Sequence, residues 1–272
     1  MDVTSRARQV GRRADSSEWL DAAVRVGLVS YGVVHLLIAW LGLRLAFGNG
    51  GGSASSQGAF HQLAQSTLGR VSLFVVAFGF LALVVWQAVE AAQGHRDEDG
   101  GKRVLKRVTS GGKAVVYAVL GYSAFSTAQG SSSGGGGTQG WTARLMGAPG
   151  GPVLVAVVGL GVLAVAGSLA YRGWTEKFRS KLDAEGQSGG TGRAYVRFGK
   201  AGYLGKGVSL GVVGALFVTA ALTHDPQRSG GLDRALHTLL QQPFGAVLLA
   251  VVAVGLACYG LFCFAWARHL DR

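Results

Sequence analysis

The stretch that most constrains this chain is Val24–Ala46, VRVGLVSYGVVHLLIAWLGLRLA. Between Arg25 and Arg44 it holds 18 consecutive residues, Val26 to Leu43, without a formal charge. At about 1.5 Å of rise per helical residue, some 20 such residues cross a hydrocarbon core of roughly 30 Å. A soluble amphipathic helix would carry a polar face at the 3.6-residue period, whereas this run is apolar nearly all round. It predicts a membrane-spanning helix.

Composition points the same way. Charged residues make up 15% of the 272 positions and mean hydropathy is +0.32, against roughly 25% charged in a soluble domain. Many of the 45 glycines lie inside apolar runs, where they let helix backbones approach closely. The arginine-bearing segment at 1–22 has no apolar core of its own, which excludes a secretory signal and reads as a cytoplasmic basic tail. Cys258 and Cys263 lie five residues apart in one apolar run. They face different ways on a helix and read as packed, reduced thiols.

Six runs are long or nearly long enough to span: Val24–Ala46, Val71–Ala92, Thr109–Ala128, Pro152–Tyr171, Tyr203–Leu222 and Phe244–Ala267. The third is the weakest, because its uncharged part begins only at Ala114 and Lys113 must snorkel to the headgroups. The segments before, between and after paired runs carry 21 of the 26 Lys and Arg. The positive-inside rule then places both termini and both basic loops in the cytoplasm.

The runs repeat. Gly27 and Gly32 in the first match Gly202 and Gly207 in the fifth, with Gly112 and Tyr117 more loosely in the third. Gly69 and Gly79, Gly151 and Gly161, and Gly245 and Gly255 recur ten apart in the even runs. Gly58, Gly140 and Gly231 each precede a leucine by five positions. Such self-similarity marks a repeat architecture. The expected fold is all-α, with six transmembrane helices forming three parallel-topology hairpin repeats at 23–95, 104–177 and 194–268. A pseudo-threefold axis along the membrane normal would relate them.

The entry motif Gly27-x-x-x-x-Gly32 and the return motif Gly255-x-x-x-x-Gly260, with Pro243-Phe244-Gly245 before it, resemble a bacterial membrane family common in actinobacteria. That family is domain of unknown function 1206, and the resemblance runs from about Trp19 to Arg268. The second repeat departs from it in having Tyr117 where glycine is expected. The resemblance implies three tandem two-span units and no particular activity.

Few side chains could carry chemistry. His35 lies roughly 16 Å into the first run, where an ionisable group is costly and becomes a functional candidate. It is either a packed neutral histidine bonded to a neighbouring Tyr or Ser, or a relay or ligand contact. No other run holds the second histidine that haem ligation would want. Glu90, near the end of the second run, reads as a snorkelling carboxylate or a coupling acid. Gly27, Gly32, Gly202, Gly207, Gly211, Gly214, Gly255 and Gly260 are expected helix-packing positions. Lys113, Lys177, Arg179, Lys181 and Lys206 are expected to meet lipid headgroups, Lys177, Arg179 and Lys181 around an interfacial helix striped by Trp174, Phe178 and Leu182 and Lys206 near the start of the fifth run.

No metal-ligand spacing, phosphate loop or nucleophile motif is present, so no cofactor, metal or enzymatic activity is expected. The basic surface needs no nucleic acid to explain it, since anionic lipid headgroups on that face suffice. A homo-oligomer or membrane-protein partner would fit the glycine faces. These features favour a non-enzymatic structural or accessory membrane component, with a small-solute transporter or channel using His35 and Glu90 as the alternative.

Overall fold

The computed structural model describes residues 3–48, 53–93, 100–130 and 137–270. Parts of the glycine-rich tracts at 48–56 and 130–140 lie outside these residues, as do the side chains of the basic tail up to position 21 and of Glu90. Ten α-helices form the described chain. Six are long: α1 (Val3–Ala46), α3 (Thr67–Gln93), α4 (Gly100–Ala128), α6 (Gly151–Trp174), α8 (Gly189–Thr223) and α10 (Gly245–Arg268). Three short ones lie at one end, α2 (Ser56–Ala64), α5 (Gly137–Met146) and α9 (Leu232–Leu240), and α7 (Ala184–Gln187) lies at the other. No strand occurs among the described residues.

Five helices are long and apolar enough to cross a membrane: α1 over Val24–Ala46, α3 over Thr67–Val89, and α6, α8 and α10. The sixth expected span, α4, falls short of that composition. It is one continuous helix, but Lys102, Arg103, Lys106, Arg107 and Lys113 occupy its first half. The long helices turn large apolar side chains outward, among them Phe78 and Leu81 of α3, Val119 of α4, Leu160 of α6 and Val251 of α10. A belt of that kind suits lipid rather than water.

Packing follows chain order. Helix α1 packs on α3, α3 on α4, α6 on α8, α8 on α10, and α10 back on α1. A closed ring of three hairpins would need one further contact, α4 on α6, and the two helices form no packed interface. The first and third repeats are therefore hairpins whose halves touch. The second is split, with α4 lying against the first repeat and α6 against the third. An open seam takes the place of the closed threefold arrangement that the repeats predict.

Glycines set the contacts. Lipid tails are as apolar as leucine, so helices associate through close van der Waals packing rather than hydrophobic expulsion. A Cβ on Gly27 would lie 2.6 Å from the Gly79 carbonyl, and one on Gly32 would lie 2.9 Å from that of Gly260. A Cβ on Gly202 would reach 2.5 Å from the Tyr259 Cα, and one on Gly255 would reach 2.8 Å from the Gly205 Cα. Gly207 and Gly214 meet the backbone of α6 at Ala166 and Leu163, while Gly211 has only an ordinary contact, 4.0 Å to Ala166. Gly112 and Gly161, the counterparts of Gly27 and Gly79 in the second repeat, meet nothing within 4 Å.

The short helices cap the bundle. Ser55 caps α2 by accepting from the Gly58 N–H, and α2 buries Ala59 and Phe60. Helix α9 buries Ala235 and Leu236, and its Asp233 accepts the Ala54 N–H at 2.7 Å, tying the first repeat to the third. Pro152 opens α6, where its missing N–H breaks no bond.

Candidate functional site

At the end carrying the basic loops, the chain after α6 does not continue as the amphipathic helix that the four-residue spacing predicts. Glu176 adopts a left-handed conformation, φ 56°, and a 3-10 turn follows at Lys177–Lys181. Phe178 and Leu182 are thereby turned into the protein instead of along its surface, and both are buried. The Phe178 ring stacks on Tyr203 at 5.2 Å and lies edge-on to Phe262 at 5.3 Å. Gly199 makes room for it, since a Cβ there would sit 2.3 Å from the ring.

The segment is then latched to the end of α10. Leu182 pairs with Leu270 in an isolated bridge, and the Asp183 N–H donates to the His269 carbonyl at 3.0 Å. Gln187 Nε2 donates to the Leu182 carbonyl at 2.7 Å, and Asp183 caps α7 by accepting the Gly186 N–H. Held from both sides, Lys181 points inward. Its ammonium lies 3.7 Å from the Trp266 ring and donates to the Tyr203 hydroxyl at 2.6 Å.

Lys206, one turn beyond Tyr203 on α8, also turns inward. Its ammonium donates to the Tyr31 hydroxyl of α1 and sits 4.5 Å and 4.0 Å from the rings of Tyr31 and Tyr259. Tyr31 and Lys206 occupy equivalent positions of the first and third repeats, so the bond joins two pseudo-symmetric sites. Tyr117 of α4 completes the group, edge-on to Tyr31 at 5.5 Å and stacked on Phe80 of α3 at 6.1 Å. Tyrosines from α1, α8 and α10 thus meet two cations, and Tyr117 of α4 joins them through Tyr31.

The charge balance of this cluster is one-sided. Among the described residues neither Lys181 nor Lys206 has a carboxylate within ion-pair distance, although Arg179 pairs with Glu176 at 2.6 Å nearby on the surface. Ring faces and hydroxyl oxygens partly replace water around the ammonium groups. Burial comes first in holding Lys181 well below the ordinary lysine pKa, and the positive charges of Lys113, Arg172 and Lys206 add to it. Lys113, Arg172 and Lys206 are therefore each within electrostatic reach of Lys181. Gln87 of α3 is 5% exposed and its Oε1 has no partner. It lies two turns from Phe80 on the same face, beside the Trp86 that meets Trp266.

His35 sits one turn further into the bundle, 7% exposed. Its ring packs between Tyr31 at 4.3 Å and Tyr259 at 4.9 Å. Nδ1 lies 2.8 Å from the Tyr31 carbonyl of its own helix and so carries the proton it donates. That partner is backbone, not the neighbouring Tyr or Ser side chain expected, and it leaves Nε2 as the acceptor of a neutral ring.

Of the other expected headgroup contacts, Lys113, Lys177 and Arg179 are exposed, and Lys177 lies over the Tyr171 ring at 4.7 Å. Glu90 falls outside the described side chains. The tyrosines were not legible as a site. Each is an ordinary aromatic within an apolar run, Lys206 read as a headgroup cation, and His35, the expected polar candidate, lies against Tyr31 and Tyr259. No cluster of side chains suited to a metal ion occurs among the described residues. At the opposite end, Arg44, Ser53, Gln57 and His61 line a separate polar pocket.

Comparison with known proteins agrees with the repeat structure. The chain is 27% identical over 251 residues to the uncharacterized protein YxxB of Bacillus subtilis (strain 168), covering 92% of this chain and 91% of that relative. No solved structure matches it. The model of the family described as Domain of Unknown Function (DUF1206) matches three times in tandem, at residues 26–94, 108–176 and 201–269, and the chain belongs to that family.

Proposed function

We propose that this protein is a six-span bundle in a bacterial plasma membrane, with its termini and basic loops cytoplasmic, and that its cytoplasmic half binds an anionic group. The observation carrying this reading is the pair Lys181 and Lys206, half-buried against Tyr31, Tyr203 and Tyr259 and facing no described carboxylate. A cation taken out of water is costly unless paired, and such groups inside membrane proteins mark binding sites or pathways. Six ammonium N–H donors, only two of them committed to tyrosine oxygens, suit a phosphate or carboxylate.

Six spans are supported by α4 lying along α3, with its charges gathered at the end where the other basic loops lie. The role is non-enzymatic. An anion-binding membrane component therefore moves ahead of the purely structural one, which keeps in its favour the exposed apolar flank of α6. Onward passage of a bound solute would lead past His35, and loss of solute flux in a His35→Leu variant would mark transport.

The test is anion-dependent stability of the purified protein in a neutral detergent. Inorganic phosphate at millimolar concentration should raise the melting temperature above that in equal ionic strength of chloride. The rise should vanish in Lys181→Gln/Lys206→Gln. Equal melting temperatures in phosphate and chloride would refute the site.

A further inference from the structure

The seam between α4 and α6 differs from every other helix contact around the bundle, and it opens beside the basic cluster. Aligning the return helices on Gly79, Gly161 and Gly255 makes Val165 the counterpart of Leu83 and Tyr259. Those two are 0% and 5% exposed, whereas Val165 is 50% exposed. Aligning the entry helices on Gly27, Gly112 and Gly202 makes Val116 the counterpart of Tyr31 and Lys206. Val116 too is exposed, and Gly112 and Gly161 meet nothing within 4 Å. The surfaces that close the other two repeats are thus present in the second and left bare.

The seam also has a polar end. Lys113 on α4 lies one turn from Tyr117, and Arg172 closes α6. The Tyr117 ring meets Tyr31, and a Cβ on Gly173 beside Arg172 would lie 3.0 Å from the Tyr203 Cβ, so both walls of the seam reach tyrosines that bond the two lysines. The buried, unpartnered Oε1 of Gln87 lies at the level of Trp86 and Trp266, over which Lys181 sits. An apolar slot at membrane depth ending in a cationic, tyrosine-lined cluster has the polarity of one kind of molecule.

We infer that a phospholipid with a net negative headgroup enters laterally between α4 and α6, its acyl chain along Gly112, Val116, Gly161 and Val165 and its phosphate on Lys181 and Lys206. This rests on the anion site proposed above and names the ligand and its route. Charge complementarity selects a lipid over a second copy of this chain, because a protein helix laid in the seam would bring apolar side chains to the lysines. It also accounts for the missing contact, since the acyl chain replaces the helix surface that α4 and α6 withhold from each other.

The test uses the full-length protein in detergent with three probes: a dioleoyl phosphatidylglycerol, a dioleoyl phosphatidylcholine and soluble glycerol 3-phosphate. Binding is read by native mass spectrometry for the lipids and by calorimetry for the soluble probe. Phosphatidylglycerol should bind at least tenfold more tightly than phosphatidylcholine. Gly161→Phe, placed in open space, should weaken phosphatidylglycerol at least tenfold and leave glycerol 3-phosphate within twofold. Val165→Trp, at a half-exposed position, serves the same purpose if Gly161→Phe does not fold.

Lys181→Gln/Lys206→Gln should weaken both anions. If glycerol 3-phosphate binds while phosphatidylglycerol does not, or if phosphatidylglycerol binds equally well with the seam filled, the anion site stands and lateral lipid entry is overturned. If neither anion binds, both proposals fall. A dimer cross-linked through the seam and insensitive to phosphatidylglycerol would make the occupant a second copy and also overturn the inference.

Discussion

The contact between α8 and α10 and the gap between α4 and α6 are built from the same signature and end differently. In the third repeat a Cβ on Gly202 would lie 2.5 Å from the Tyr259 Cα, and one on Gly255 would lie 2.8 Å from the Gly205 Cα. In the second, Gly112 and Gly161 stand at the matching places with nothing beside them. Glycine permits a close approach but does not cause one. The second repeat puts Lys113 where the others have Leu28 and Tyr203, both buried. Lys113 is exposed instead. It also puts Tyr117 where Gly32 and Gly207 make the contact to the neighbouring repeat, and that ring turns to Tyr31 and Phe80 instead.

The sharpest way to break this contrast is to load both interfaces alike. Gly255→Leu should cost about 3 kcal/mol or more, or prevent folding, because backbone lies in the way. Gly161→Leu should stay within about 0.5 kcal/mol of wild type, as an open-space substitution does. Thermal unfolding in detergent reads both, and equal effects would mean that the seam is closed.

Phe178→Ala comes next. Removing a fully buried phenylalanine costs about 3–5 kcal/mol, and here it also frees the turn that carries Lys181. Trypsin should then cut after Lys181 much faster than in wild type. Tyr31→Phe is milder: it takes the acceptor from the Lys206 ammonium, a charge-assisted bond worth about 1.5–3 kcal/mol. The loss should shrink when phosphatidylglycerol is present, because the lipid supplies another partner.

The smallest effect is one of pH. The folded Lys181 gives up its proton below the ordinary lysine value, so between those two points the unfolded chain binds more protons. Stability of the lipid-free protein should therefore rise with pH through that window. Comparing denaturant midpoints of wild type and Lys181→Met isolates the contribution, and the variant should show the flatter profile.

Much of the framework was legible because it rests on period and composition. The apolar runs foretold the long helices, and the glycine pattern marked Gly27, Gly32, Gly202, Gly255 and Gly260, where a Cβ would meet backbone, along with Gly211, where it would not. The close approaches at Gly205 and Gly79 were less visible, since their partners depend on how the helices face each other. The stripe of Trp174, Phe178 and Leu182 fits a helix by spacing alone. It misled because Glu176 takes a left-handed conformation that spacing does not encode.

Lys181 and Lys206 read as headgroup cations for a related reason. A lysine at or just beyond the end of a span can snorkel outward or turn inward, and only Tyr31, Tyr203, Tyr259 and Trp266, brought together from distant parts of the chain, decide between the two. Nothing in a single repeat reveals that the second is the one left open.

The most direct measurement is a structure determined in a bilayer containing phosphatidylglycerol, resolved well enough to see lipid. The account predicts α4 and α6 apart, a continuous amphiphile between Gly112 and Gly161, and its phosphate on the ammonium groups of Lys181 and Lys206. Helices α4 and α6 packed glycine to glycine, with the two lysines sealed away from any anion, would contradict it.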